Sequence, residues 1–381
     1  MTDLEPILAL WRELEAAKAD YVLATVVGVE GSSYRRPGAH MLLAQDGRRA
    51  GTVSGGCLEA DVAKRAWWLT ANGLTIENFS TIEDEGDRPY GSGCGGIISL
   101  LLERRETAAP LLCALETAFN KRLPLAMATV LDGPRIGSRA FAGLAPTKAS
   151  AANESESAAG SALDGLAKSA LNDRLSIERN ILIDDETVRV WAEFRAARPG
   201  LWIFGAGDDA RPLLKLAREL GWHVAIADGR SHLATRERFS AAHEVAVLDI
   251  AALPGAEFVR LDTRSTDAAV LMTHSFEQDS RVLASLLSLA PPPAYIGVLG
   301  PQRRTREMLA EAARLLDMPA SDNQVERWLE AIHAPTGLDL GADTPASIAL
   351  SILSEIQQKL HKGSALPLRV VRASKIEALH P

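Results

Sequence analysis

Cysteine is scarce in this chain, with three among 381 residues. Three thiols make no disulfide framework, and a reduced state is expected. Cys57 and Cys94 stand 37 positions apart, so neither a Cys-x-x-Cys redox pair nor a zinc-site spacing is present. Structural zinc is not expected, and no other metal-ligand set is defined. Positive charge is also in deficit. The net charge of -8 gives no general attraction to nucleic acid or to an anionic membrane surface. No apolar run approaches the ~20 residues that a membrane-spanning helix needs. Residues 1–17 are acidic and amphipathic, without a basic stretch before an apolar core, so a secretory signal is not expected. These absences point to a cytoplasmic protein with neither nucleic acid nor membrane among its partners.

The composition is 47% hydrophobic and 24% charged, that of a globular protein, and the length allows two or three domains. The most informative stretch is Leu201-Trp202-Ile203-Phe204-Gly205-Ala206-Gly207-Asp208-Asp209-Ala210. Four apolar residues run into a Gly-x-Gly-x-x-Ala turn. A helix is expected next, with Leu213, Leu216, Ala217 and Leu220 on one face. A second apolar run from His223 ends in Asp228, 21 residues after Gly207. Strand, glycine turn, helix, strand and terminal acid form the dinucleotide-binding fingerprint. Its glycines let backbone approach a pyrophosphate resting on the helix N-terminus, and the acid can hold ribose hydroxyls.

Strands and helices continue to alternate beyond Asp228, which argues for a parallel sheet with crossover helices. Strands are expected at Glu244–Val247, Ala268–Met272 and Ala294–Leu299. In such sheets ligands bind beyond the carboxyl ends of the strands, where Gly205, Asp228, His274 and Gly300 all fall. His274 is either a ligand contact or a partner in a local loop hydrogen bond. Arg303 and Arg304 follow Gly300 and either neutralise a phosphate or are solvated. Thr344 and Pro345 mark the start of another helix with Ile348, Ala349, Ile352, Leu353 and Ile356 inward. The basic residues from 362 to 381 read as a mobile tail.

The first half is α/β as well, over residues 1–195. A helix carrying Ile7, Leu10, Trp11 and Leu14 precedes a strand at Tyr21–Val29, and two short strands at Ala39–Ala44 and Gly51–Ser54 flank a turn at Asp46-Gly47. Arg36, in a turn-rich loop from Gly31 to Gly38, either meets an anion or is solvated. Gly55, Gly56 and Cys57 precede a helix, so open backbone N–H groups suited to an anion and a thiol of lowered pKa are expected there. Cys94 sits in a second glycine turn, before a strand at Ile97–Leu102. Cys113, on a helix at Thr107–Asn120, reads as a core residue. Residues 142–171 are rich in Ala and Ser and read as a flexible insertion or poorly packed helical excursion, not as a core element. A boundary is expected at Arg195–Gly200, ahead of a second domain over 200–361.

The joint order of these motifs resembles the XdhC/CoxI family, accessory proteins of molybdenum hydroxylases such as xanthine dehydrogenase. The resemblance rests on Gly31-Ser32-Ser33, Arg36-Pro37-Gly38-Ala39, Ser54-Gly55-Gly56-Cys57-Leu58-Glu59 and Gly93-Cys94-Gly95-Gly96. In the second half it rests on Gly205-Ala206-Gly207, Asp228, Thr273-His274, Gly297 to Gly300, Arg303-Arg304 and Gly337 through Pro345. It implies a non-catalytic chaperone that binds the molybdenum cofactor, as molybdopterin or its dinucleotide form, protects it during terminal sulfuration and delivers it. The implied partners are a molybdenum hydroxylase apo-enzyme and a cysteine desulfurase, and homo-oligomerisation is left open. The implied cofactor-binding residues are Arg36, Gly55, Gly56, Cys57, Cys94, Gly205, Gly207, Ala210, Asp228, His274, Gly300 and Arg303. Many relatives have His where this chain has Asp208, an acid that disfavours a second close anion. The competing reading is an NAD-dependent oxidoreductase, with Asp228 favouring NAD over NADP, although no acid/base set beyond His274 is evident.

Overall fold

The computed structural model describes residues 4–80, 96–145, 158–255, 258, 261–319 and 321–371. The chain divides into two compact units, Met1–Arg198 and Pro199–Pro381.

The first unit is built on antiparallel sheets. Helix α1 (Leu4–Ala16) precedes β1 (Tyr21–Glu30), β2 (His40–Ala44) and β3 (Arg49–Gly51). Then come α2 (Glu59–Leu69), β4 (Thr75–Ser80), β5 (Ile97–Arg104) and α3 (Arg105–Lys121). The five strands lie in the order β3-β2-β1-β5-β4. β1 is apolar on both faces because helices cover both. Tyr21 and Leu23 pack with α1 and α3, whereas Val22, Ala24 and Val26 pack with α2. The hairpin at Asp46-Gly47 is present, but its second strand is Arg49–Gly51 and not Gly51–Ser54. From Val53 onward the backbone turns away to bond the Glu59 side chain. Cys113 is exposed. It lies off the stripe of Ala108, Leu111, Leu112, Leu115 and Phe119 by which α3 is buried, which corrects its core assignment.

The same unit holds β6 (Leu125–Val130), β7 (Arg139–Ala142), α4 (Ala158–Asp173), β8 (Ile177–Ile183) and β9 (Glu186–Arg195), with sheet order β7-β6-β9-β8. Asp184 and Asp185, at φ 51° and 66°, make the tight β8–β9 turn. Part of the Ala/Ser-rich stretch is core after all. Ala159, Leu163 and Ala167 of α4 are buried against Ala128, Val130 and Val190. Alanine and serine gave no obvious apolar period, yet small residues are what let a helix sit close on a sheet. Residues 146–157 of that stretch lie outside the described residues.

The second unit is a parallel sheet of β10 (Gly200–Phe204), β11 (His223–Asp228), β12 (Glu244–Val247), β13 (Ala268–Leu271) and β14 (Tyr295–Val298). Its order β12-β11-β10-β13-β14 puts the first strand in the middle, the doubly wound arrangement with its switch point beside β10. Helices α5 (Ala210–Glu219), α6 (Phe276–Ser288), α7 (Gln302–Leu315), α8 (Asp322–Ala331) and α9 (Pro345–His361) belong to the same unit. Alternation along β10 assigns its faces. Leu201 and Ile203 join α5 and α9 residues such as Leu213 and Ile352, while Trp202 and Phe204 join α6 and α7 residues such as Leu283 and Leu309. Phe204 is in register with Ala227 and Leu271, and Leu271 with Val298, so the carboxyl ends form one edge.

Because Leu163 is 2% exposed beneath α4, Leu163→Ala is expected to destabilise the first unit by about 2–4 kcal/mol. Urea unfolding of the two proteins measures this, and an unchanged midpoint would show that α4 contributes nothing to the core.

Candidate functional site

The carboxyl edge of the parallel sheet carries most of the candidate side chains of the second unit. The chain leaves β10 through Gly205, whose φ is +137° and where an added Cβ would meet the Met272 carbonyl oxygen at 2.5 Å. Only glycine fits there. The next residue, Ala206, donates its N–H to Asp228 Oδ2 at 2.7 Å. Asp228, at the end of β11, is fully buried. Its Oδ1 accepts the Arg230 backbone N–H at 2.8 Å and Nε at 3.0 Å, and its Oδ2 accepts Arg230 Nη2 at 2.8 Å. Burial pushes this carboxyl up, but the Arg230 side chain and the Ala206 amide outweigh it and hold it below the ordinary range.

The neighbouring strand ends are tied into the same edge. Thr273 is buried, and its Oγ1 donates to Asp279 Oδ1 at 2.7 Å, while Arg304 Nη2 donates to Asp279 Oδ2 at 2.7 Å. His274 has a left-handed backbone, φ 61°, and its Nε2 lies 2.9 Å from Asp209 Oδ2. A non-glycine residue in that conformation costs about 1 kcal/mol or more, and such strain concentrates at functional positions. The Asp209 carboxylate in turn folds back over Gly207. Arg303 is exposed, with no hydrogen bond or ion pair among the described residues, whereas Arg304 is committed to Asp279.

The glycine turn of the first unit presents a different chemistry. Glu59, in the first turn of α2, is 3% exposed. Its carboxylate accepts the N–H groups of Val53 at 3.1 Å, Ser54 at 2.9 Å, Gly55 at 3.1 Å and Gly56 at 2.8 Å, plus the Ser54 hydroxyl at 2.6 Å. Burial raises its pKa, but the Ser54 hydroxyl and the turn amides bring it down to about 2. The amides of Gly55 and Gly56, expected to be open to an external anion, therefore already hold an internal one. Cys57 follows this locked turn and is exposed, and the space beside Gly56 is empty for 4 Å. Tyr34, 76% exposed, lies against Gly55 and joins the Arg36 loop to the Cys57 turn. Arg36 itself is exposed.

A third network holds the loop after β14. Glu355 of α9 accepts the Tyr295 hydroxyl at 2.6 Å and the Gly337 N–H at 2.6 Å, and lies 2.9 Å from His333 Nδ1. Burial raises the Glu355 pKa, but His333, then Tyr295 and Gly337, lower it to about 2. Ser351 of the same helix donates to the Leu338 carbonyl at 2.5 Å. The Gly337-Leu338-Asp339-Leu340-Gly341 loop thus starts from a fixed base.

Comparison with known proteins agrees with this division. Residues 201–356 match the XdhC Rossmann domain, and residues 14–80 match the XdhC and CoxI family. The chain belongs to the XdhC/CoxI family. It is 29% identical over 344 residues to a probable xanthine dehydrogenase subunit of Bacillus subtilis, covering 88% of this chain and 92% of that protein. It is 36% identical over 115 residues to the molybdenum cofactor insertion chaperone PaoD of Escherichia coli, covering 28% of this chain and 33% of PaoD. The fold resembles the crystal structure of a xanthine dehydrogenase from Bacillus halodurans with a TM-score of 0.68 and 25% identity, over 96% of this chain and 97% of that one.

Within this XdhC/CoxI chain, Gly205, Gly207, Asp228, His274, Gly300 and Arg303 all lie at or just beyond the carboxyl ends of the strands. Ala210 is fully buried at the start of α5, where it packs helix against sheet. Cys94 lies outside the described residues. The positions of Arg230, Asp209, Glu59, Tyr34 and the Glu355 network carry no assignment from sequence. Arg230 stands two residues beyond the terminal acid of β11, and Glu59 three beyond the second turn glycine, signals that a search for donors and acceptors around each motif would have found.

The Glu59 bonds have a pH signature. A folded-state pKa of about 2 against an ordinary 4.5 means stabilisation present above 4.5 and lost as pH falls through about 2. Glu59→Gln is expected to cost about 2–3 kcal/mol near neutral pH, and to flatten the fall in stability between pH 4.5 and 2. Urea titrations at a series of pH values test this, and an unaltered acid limb would show that the turn does not depend on the charge.

Proposed function

We propose that this protein binds the molybdenum cofactor, shields it during terminal sulfuration and delivers it to a xanthine dehydrogenase-like hydroxylase. The cofactor is cargo here, and the chain works as a carrier. The observation that carries this reading is Cys57, an exposed thiol on a turn that Glu59 fixes through five hydrogen bonds. A soft sulfur ligand on a rigid, open turn suits molybdenum or a sulfur in transit. Family membership and the similarity to PaoD, a molybdenum cofactor insertion chaperone, support the same reading.

The residues present fit such cargo in kind. The sheet edge supplies an uncommitted arginine, Arg303, and the partly exposed guanidinium of Arg230 for a phosphate. Tyr34 supplies an exposed aromatic face beside the thiol turn, the kind of surface on which a planar pterin ring rests. When bound, the cofactor brings the molybdenum centre that the target hydroxylase uses. This chain's own residues bind and orient it. A cysteine desulfurase as sulfur donor and an apo-hydroxylase as acceptor complete the proposed set of partners. The NAD alternative draws no support from Asp228, whose four acceptor positions are filled by protein donors.

Anaerobically purified protein is expected to retain a fluorescent pterin, and Cys57→Ala to retain about tenfold less molybdenum with an unchanged melting curve. Equal retention by both proteins removes the role of Cys57. Tight NADH binding with turnover, and no pterin in the wild type, overturns the carrier reading.

A further inference from the structure

We infer that the carboxyl edge of the second unit receives a phosphomonoester, with Arg230 as its receptor, and excludes a dinucleotide. This rests on the carrier reading above and assigns the form of the cargo: molybdopterin ending in its own phosphate, not its nucleotide-extended form.

A dinucleotide bound in this fold uses two receptors, an acid for the ribose hydroxyls and the glycine-turn amides for the pyrophosphate. Neither is open here. Asp228 has two oxygens and four acceptor positions, and four donors fill them: the Ala206 and Arg230 N–H groups, Arg230 Nε and Arg230 Nη2. A ribose hydroxyl finds no acceptor unless Arg230 leaves, and its departure strands half of a fully buried carboxylate. The amide between the two glycines is spent on that same carboxylate. Over the second glycine lies Asp209, fixed by His274 at 2.9 Å. Asp208 adds a further charge beside the turn, 82% exposed and only partly neutralised by Arg211 at 3.2 Å and Arg238 at 3.0 Å. A pyrophosphate placed there meets two carboxylates.

What the edge offers instead is a fixed guanidinium. Arg230 is held in plane by Asp228 and by the Thr273 carbonyl at 3.1 Å, while its Nη1 has no partner among the described residues. Its side chain is 36% exposed, so one edge of the fork faces outward. Asp209 and Asp279 act on it electrostatically, which sets a limit: only a compact, doubly charged group gains enough from one guanidinium edge to bind beside them. A terminal phosphate is such a group. The arginine converts a position that reads ribose into one that reads a terminal anion.

The test compares three ligands under anaerobic equilibrium dialysis with pterin fluorescence: molybdopterin, its cytidine dinucleotide and the phosphatase-treated pterin. The wild type is expected to bind the monophosphate about 10- to 100-fold more tightly than either of the others, the range for one charge-assisted contact. Arg230→Ala is expected to abolish that preference, and Arg230→Lys to restore part of it. The double variant Arg230→Ala, Asp228→Asn leaves no stranded charge and guards against misfolding, which a melting curve checks. If the dinucleotide binds as tightly as the monophosphate, or if both Arg230→Ala proteins keep the preference while folded, the inference is wrong and the carrier reading stands. If no pterin binds the wild type in any form, the carrier reading itself is wrong.

Discussion

Buried carboxylates that gather turn amides set the local geometry of both units. A carboxylate removed from water must recover its lost hydrogen bonds, and a glycine turn has backbone N–H groups without partners. Glu59 and Asp228 meet both demands at once. Glu59 draws four consecutive N–H groups around one side chain and thereby fixes the path into α2. Asp228 clamps the turn after β10 to the end of β11 through Ala206. In each case the protein supplies its own anion where the motif suggests an external one. The exposed groups then stand on turns that do not need a ligand to be ordered.

The same logic runs through the rest of the sheet edge. Asp279 receives Thr273 on one oxygen and Arg304 on the other, joining β13 to the start of α7. Glu355 joins β14, the following loop and α9. Among the described residues most cations at this edge are thereby neutralised, with Arg303 and one edge of Arg230 left open. Selectivity in such a site comes from how few donors are free, since a ligand gains only from groups the protein has not already satisfied.

The sheet architecture was largely legible in the sequence. Alternating apolar runs and helical stripes predicted the parallel strands of the second unit, and the glycine turn placed its switch point. What escaped was side-chain partnership. Nothing in local spacing says that Arg230 rather than a ribose takes the acceptors of Asp228, because that choice depends on a bond across the turn. The amides of Gly55 and Gly56 read as vacant for the same reason. α4 escaped differently: alanine carries too little hydrophobicity to mark a stripe, and only the sheet beneath shows which alanines are covered. Cys113 read as core on residue type, whereas position on α3 decided its exposure.

The strand order of the second unit also has a consequence for how the chain is made. β10 is synthesised first but ends in the centre, so one of its edges stays unpaired until β13 emerges more than sixty residues later. The face carrying Leu201, Ile203, Val224 and Ile226 is covered by α5 early, but its other half waits for α9. During elongation this unit therefore carries an open strand edge and a half-clad apolar face, a combination that invites wrong pairing between nascent chains. Translation pauses between residues 204 and 345 would lengthen that exposure, which makes synthesis rate, and not only final stability, a determinant of how much folded protein a cell obtains.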